Sequence, residues 1–394
     1  MVQVLNKNGN LKIKEMKKSY ISLLAIGMSL FGLIACDNFM DVHKEYVEDG
    51  ETIYSPKVDL ISFRAGEGRI LFQCLLINSP NVKTVDVYWN DGLNKRSITV
   101  PSSTSDTVLI EEFLPNMEEK SYTFDVRTTD GYTHQSLKTT GSATSYGALF
   151  RSTLSNRRVD VGSTVEVGTD IQIQIPWGTA AENLLRNEIR YTAVAGGSTV
   201  IEVSPTESLT TITDAAPGSS FEYRSRFLPE PTAVDTFDMA WESLAIDPAI
   251  FFDRTTWTAS VSDFADPVAR VIDNNLTTYW HSSYPAAFAF PHWIIIDMKS
   301  VRDITRLEIY RRDGFITLKN IEYYVSDDPA HDALTWVKIG DVEFPNNVLP
   351  RMMTLEIPSP NPAHKKRYLK IVVPDSYAAN TFTHIAEIYV YGSY

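Results

Sequence analysis

From about Lys57 onward the chain is written in short runs of β-branched and aromatic residues, parted roughly every eight to twelve positions by Gly, Pro, Asn, Asp and Ser. Runs this short bury one face as strands but cannot carry a helical stripe of several turns. Residues 69–77, 84–89, 96–100, 107–110 and 122–127 are predicted strands, with Asn90-Asp91-Gly92 and Asp130-Gly131 as turns. The expected class is all-β. At 394 residues, 43% of them hydrophobic, the chain is long enough for about two to four domains, each with its own core.

The pattern occurs twice. Asp86-Val87-Tyr88-Trp89 corresponds to Ile189-Arg190-Tyr191-Thr192, and Ser97-Ile98-Thr99-Val100 to Val200-Ile201-Glu202-Val203, both at an offset of 103 residues. Leu114-Pro115-Asn116 followed by Tyr122-Thr123-Phe124 likewise matches Ala216-Pro217-Gly218 followed by Phe221-Glu222-Tyr223. Two tandem β-sandwiches are expected, over 56–148 and 149–236. In their corner prolines and the aromatic strand that follows, both resemble immunoglobulin/fibronectin III-like modules. Tyr88, Trp89, Tyr122, Phe124, Tyr191 and Phe221 would suit a sugar-stacking platform, but alternating strand positions read first as core. Cys74, inside an apolar run, reads as a small buried hydrophobe.

Leu228-Pro229-Glu230-Pro231 marks a linker, and the segment 237–394 beyond it carries the most specific signal. It holds Ala269-Arg270-Val271-Ile272-Asp273-Asn274-Asn275-Leu276-Thr277-Thr278-Tyr279-Trp280-His281-Ser282, then Pro291-His292-Trp293-Ile294-Ile295-Ile296-Asp297-Met298. Ile321-Glu322-Tyr323-Tyr324-Val325-Ser326-Asp327-Asp328, Arg367-Tyr368-Leu369-Lys370-Ile371 and Ile385-Ala386-Glu387-Ile388-Tyr389-Val390-Tyr391-Gly392 follow. In these elements and their order the segment resembles a discoidin domain (coagulation factor V/VIII type C, galactose-binding-like), a jelly-roll β-sandwich. Trp280 and Trp293 are read as core residues of central strands.

The resemblance implies a structural calcium ion, and Asp273, Asn275 and Thr278 with Ala386 and Glu387 stand at the matching positions, Arg270 offering a backbone carbonyl. Two carboxylates among neutral oxygens make a hard, all-oxygen shell, as calcium prefers. The bland alternative is a turn in which Asp273 caps backbone N–H groups. Asn274 stands where the family often has glycine, and asparagine tolerates the left-handed turn. The resemblance also implies sugar binding on loops at the same end. Candidate contacts are His281, Tyr284, Arg311, Arg312, Phe315, Tyr377 and Phe382, which offer rings to stack on a pyranose and planar donors for its hydroxyls or an acidic group.

The N-terminus reads as an address. Lys17 and Lys18 precede an apolar stretch over 21–35 that is short for a membrane span, and Leu33-Ile34-Ala35-Cys36 resembles the lipobox of bacterial lipoproteins. That resemblance makes 1–35 a leader and signal peptide, Cys36 the lipidated residue, and the acidic stretch 36–55 a flexible tether. In the glycan-utilisation lipoproteins of gut-dwelling Gram-negative bacteria, which this terminus resembles, such tethers accompany display on the outer membrane facing the exterior. A neighbouring outer-membrane import complex is then a possible partner.

With 36 Lys+Arg against 49 Asp+Glu the formal net charge is −13, which argues against nucleic acid as partner. No serine elbow, His-Glu-x-x-His helix, phosphate loop or dinucleotide fingerprint occurs. A non-catalytic, lipid-anchored glycan binder is the expected function. An adhesin for a host protein or mucin, or a spacer with no ligand of its own, is the alternative.

Overall fold

The computed structural model describes residues 52–102, 105–283, 289–358, 361–378 and 381–393. Cys36 and Tyr284 lie outside them. The fold is almost all β. The chain forms two compact units, one made of residues up to Phe63 with Phe72–Phe113 and Tyr122–Ser142, the other of Arg64–Leu71, Leu114–Ser121 and Ala143–Tyr394.

The N-terminal sandwich has a four-stranded sheet, ordered Asn94–Thr99, Val82–Trp89, Lys120–Asp130, Thr139–Ser145, and a three-stranded one of Leu60–Ala65, Arg69–Ile77 and Thr107–Pro115. Period-two alternation puts Tyr122, Phe124 and Val126 inside, and Phe63 stacks on Phe124 with ring centroids 4.3 Å apart. Cys74 is buried, and burial pushes its thiol up to about 12, which leaves it unreactive. Tyr88 and Trp89 are only half-buried: Tyr88 points away from the core positions Val85 and Val87, and Trp89 shares their face at the strand's end, 6.3 Å from the Phe124 ring. Asn90 and Asp91 take the left-handed conformation ahead of Gly92, as a tight hairpin turn requires.

The repeat recurs as topology. Leu184–Thr192 lies between Ser198–Val203 and Phe221–Phe227, just as Val82–Trp89 lies between Asn94–Thr99 and Lys120–Asp130. Its core gathers Ile175, Trp177, Ile189, Tyr191, Phe221 and Tyr223. Phe237–Asp238 and Glu242–Leu244, expected at the head of the C-terminal segment, instead pair with Phe221–Phe227 and complete this second sandwich.

The second and third sandwiches share a sheet. Ile246–Phe251 pairs parallel with Gly162–Val167 and antiparallel with the last strand, His384–Ser393. Arg302 and Glu166, both buried, form an ion pair of 2.9 Å across this junction, and Arg306 reaches Asp247 at 2.6 Å. The Pro229–Pro231 stretch therefore lies in a loop of the second sandwich and does not separate it from the third.

The C-terminal sandwich is organised by one 20-residue strand, His292–Arg311. Its first part pairs with Lys365–Val373 and Thr258–Val261, and its second with His384–Ser393 and Met352–Glu356. Trp280, Ile296, Leu307, Tyr323, Leu369 and Ile388 belong to the core so enclosed. Trp293 does not: alternation turns it away from Ile294 and Ile296, and it stacks half-exposed on His331 at 5.1 Å. Removing the Glu166 carboxylate as Glu166→Ala takes a buried ion-pair partner from Arg302. The expected loss is about 3–5 kcal/mol, read from the urea midpoint of the full chain.

Candidate functional site

Strand register separates the core from a candidate binding face by one residue. Trp280 and Arg311 both pair with Ile385, one on each side, and the row faces inward: all three are buried. The next row, His281 opposite His384, faces the other way. Arg312 follows Arg311 onto that outer side, in a turn closed by Phe315 N–H donating to the Arg312 carbonyl at 3.3 Å. Gly314 adopts φ +72° there, a conformation that a β-carbon would strain.

On this outer row rings and donors gather. His281 stacks on Phe382 at 5.0 Å and meets His384 edge-on at 4.1 Å. Phe315 lies 4.9 Å and Tyr279 5.7 Å from the His384 ring. The Arg312 guanidinium is held between Tyr279 and Phe315, 4.0 Å from each ring centre. The two histidines are buried beneath the rings, while Phe315 keeps 37% of its surface exposed. Thr317 Oγ1 is 3.0 Å from His384 Nδ1. Burial first, then the neighbouring His281 and Arg312, push His384 down to about 3. It is a neutral imidazole, able to donate at one nitrogen and accept at the other.

Of the expected contacts, His281, Arg312, Phe315 and Phe382 thus come together. Arg311 does not join them. It is buried under the sheet against Phe344, 5.0 Å away, because alternation gives adjacent residues opposite faces. Tyr377 donates its hydroxyl to Glu343 at 2.9 Å and contacts none of the cluster. Tyr279 and His384 were missed by sequence reasoning. Tyr279 stands two residues before His281 and His384 two after Phe382, and only the pairing of Trp280–His281 with the last strand brings them into the cluster.

A polar knot holds these loops. Asp263 accepts from His292 Nδ1 at 2.9 Å, from Ser262 Oγ at 2.9 Å and from Ser283 N at 2.5 Å. His292 Nε2 donates to the Thr381 carbonyl at 2.7 Å, and Ser282 Oγ accepts from Thr383 N at 2.9 Å. Asp, His and Ser here mimic a hydrolytic triad only in name. Ser282 Oγ is 3.5 Å from a nitrogen that is already turned to a carbonyl, and both side chains are fully buried. The knot positions Phe382 and His384.

The loop expected to hold calcium is also assembled. Asn274 is left-handed, at φ 61°. Asp273 accepts from Asn275 N at 2.9 Å and from Thr278 Oγ1 at 2.8 Å, and Thr278 Oγ1 lies 2.9 Å from the Asn275 carbonyl. Glu387, fully buried, reaches Asn275 N at 3.1 Å with Oε2, while its Oε1 accepts from Arg254 at 2.6 Å. Burial raises the Glu387 carboxyl despite that guanidinium. Arg270 closes the short turn Val268–Val271 and pairs with Asp266 at 2.6 Å, and Ala386 is buried in the last strand beside Glu387. Among the described residues no three His, Cys, Asp or Glu side chains gather as a metal site. The donors present are two carboxylates with a hydroxyl and a carbonyl, which fit a hard cation.

A model of the DUF4998 family, described as a domain of unknown function, matches residues 36–237, a little over half of the chain. The chain belongs to this family. Residues 255–388 match the F5/8 type C domain, and the C-terminal sandwich of this DUF4998 protein is accordingly a discoidin-like jelly roll. None of the curated proteins compared with the chain matches it. Among solved structures, the family 32 CBM (carbohydrate-binding module) of NanJ from C. perfringens, in complex with galactose, is 22% identical. That match covers 34% of this chain and 93% of the module, with a TM-score of 0.30. The C-terminal domain of a chitobiase from Bacteroides fragilis is 27% identical, covering 35% of this chain and 93% of that one, with a TM-score of 0.28. The module CpGH89CBM32-5 from Clostridium perfringens, in complex with GalNAc-β-1,3-galactose, is 20% identical over 34% of this chain and 94% of its own, with a TM-score of 0.29.

His384 makes stability depend on pH. Its ordinary value is 6.5 and its folded value about 3, so between the two the unfolded chain binds a proton that the folded state refuses. Stability is therefore complete above 6.5 and falls as pH drops toward 3, by several kcal/mol at most (roughly 1.4 kcal/mol per unit). Urea midpoints of wild type and His384→Gln, compared from neutral to acidic pH, should show a flatter profile for the variant.

Proposed function

We propose that this protein is a non-catalytic, lipid-anchored glycan-binding protein whose ligand meets the face formed by Tyr279, His281, Arg312, Phe315, Phe382 and His384. The observation that carries this reading is the Arg312 guanidinium clamped between two rings beside a half-open Phe315. A pyranose presents a C–H face for stacking and an equator of hydroxyls for planar donors, and this cluster offers both. The F5/8 type C match supports it, as does the finding that similar modules have been solved with galactose and with GalNAc-β-1,3-galactose. Anchoring through Cys36, display on the outer surface and service to an import complex belong to the same proposal. The DUF4998 match begins at residue 36, the cysteine at which the signal peptide would be removed.

The calcium ion belongs to the proposal too. Asp273, Thr278, the Asn275 carbonyl and Glu387 would hold it, and it would supply charge balance between the loop and the last strand. Arg254 already neutralises part of Glu387, so weak binding is expected, because affinity follows the charge count of the ligands. Excess calcium should raise the melting temperature of wild type but not of Asp273→Ala. Equal melting with calcium and with chelator would remove the ion from this account. For the glycan, an array probed with the full chain should show binding that Phe315→Ala weakens by about three- to tenfold, as loss of one ring contact implies. Capture of a host protein with no glycan bound would favour the adhesin instead.

A further inference from the structure

Arginines of the C-terminal sandwich fall into two groups. Arg254, Arg270, Arg302, Arg306 and Arg367 each pair with a carboxylate at 2.6–2.9 Å. Arg311, Arg312 and Arg351 make no ion pair with any described residue, and they stand together. Arg311 N–H donates to the Arg351 carbonyl at 3.0 Å, Arg351 Nε donates to the Arg311 carbonyl at 3.2 Å, and Arg312 is next in the chain.

Each member contributes differently. Arg311 is buried, none of its guanidinium nitrogens has a hydrogen-bond partner, and burial alone acts on it, so no carboxylate compensates its charge. Arg351 spends donors on the Arg311 and Leu276 carbonyls, which neutralise nothing. Arg312 lies between its two rings, half-exposed, and Asp313 beside it does not pair with it. The downward push on His384 includes the neighbouring Arg312 guanidinium. A patch of uncompensated positive charge thus underlies the proposed sugar face of a chain whose net charge is −13.

We infer that the glycan taken by this face is acidic, carrying a carboxylate or a sulfate ester, and that Arg312 meets the anionic group. The inference rests on the glycan-binding reading and adds its substrate class. A guanidinium fork matches both anions bidentately, whereas sugar hydroxyls alone would leave three positive charges uncompensated.

The test measures affinity of the full chain for three oligosaccharide sets: neutral agarose-derived, sulfated carrageenan-derived, and carboxylated oligogalacturonate. Each is titrated at about 20 and about 300 mM NaCl, on either side of strong screening. At least one charged set should bind at least about tenfold tighter than the neutral one, with the margin shrinking in salt. Which charged set wins identifies the anion. Arg312→Gln should erase the margin and Arg312→Lys, which keeps charge but loses the fork, should keep part of it. Unchanged melting of both variants would show that they fold. Equal, salt-insensitive binding of all three sets would overturn the acidic class and leave carbohydrate binding standing. A margin that survives Arg312→Gln would overturn the role of Arg312. Failure of wild type to bind any of the three sets would overturn the acidic-glycan inference, while binding elsewhere on the wider array would still uphold the glycan reading.

Discussion

The last strand, His384–Ser393, is the member on which the C-terminal half depends. It is hydrogen-bonded to Trp280–His281, to the second part of His292–Arg311 and to Ile246–Phe251. Along it sit His384 in the ring cluster, Glu387 against the Asp273–Thr278 loop and Gly392 at the junction with the second sandwich. Gly392 is needed where it stands, since a β-carbon there would lie 2.0 Å from the Asp303 carbonyl oxygen. One extended segment with a repeat of two residues therefore fixes the spacing between ring cluster, Asp273–Thr278 loop and scaffold. A slip by one residue would turn His384 into the core and expose Ile385.

The same alternation explains what could and could not be read from residues alone. The repeat was legible as a three-strand arrangement, although at an offset of 103 residues the core Val87 falls on the half-exposed Arg190, and the meeting of Asp273, Asn275 and Thr278 with Glu387 was legible because the loop and the final strand carry them at fixed spacings. Arg311 and Arg312 were not separable. They end a strand whose pairing shifts register at Tyr310/Arg311, so which arginine faces outward depends on an irregularity with no sequence mark. Trp293 misled for a related reason. A tryptophan in an apolar run reads as core, yet its neighbours His292 and Ile294 take the interior positions, His292 because Asp263 and Thr381 satisfy both of its nitrogens. The junction with the second sandwich was hidden as well, because parallel pairing between strands some eighty residues apart leaves no local pattern.

Buried charge is spent unevenly along this frame. At the junction Arg302 is answered by Glu166, and beside the Asp273–Thr278 loop Arg254 is answered by Glu387 while lying against the rings of Phe251 and Tyr389, 5.2 Å and 4.7 Å away. Pairs of this kind add little net stability over apolar packing, but breaking either partner is costly, so they fix which segments meet. Arg311 has no such answer. Its guanidinium cannot shed a proton, and its desolvation is an outlay that neither packing on Phe344 nor any described carboxylate returns. A domain able to pair its other interior arginines, yet leaving this one bare directly under the outward-facing Arg312, keeps positive potential at the one end where rings and donors converge. An anion arriving there would be stabilised by charges that are already desolvated and oriented, so less reorganisation would oppose its binding than at a solvated surface lysine.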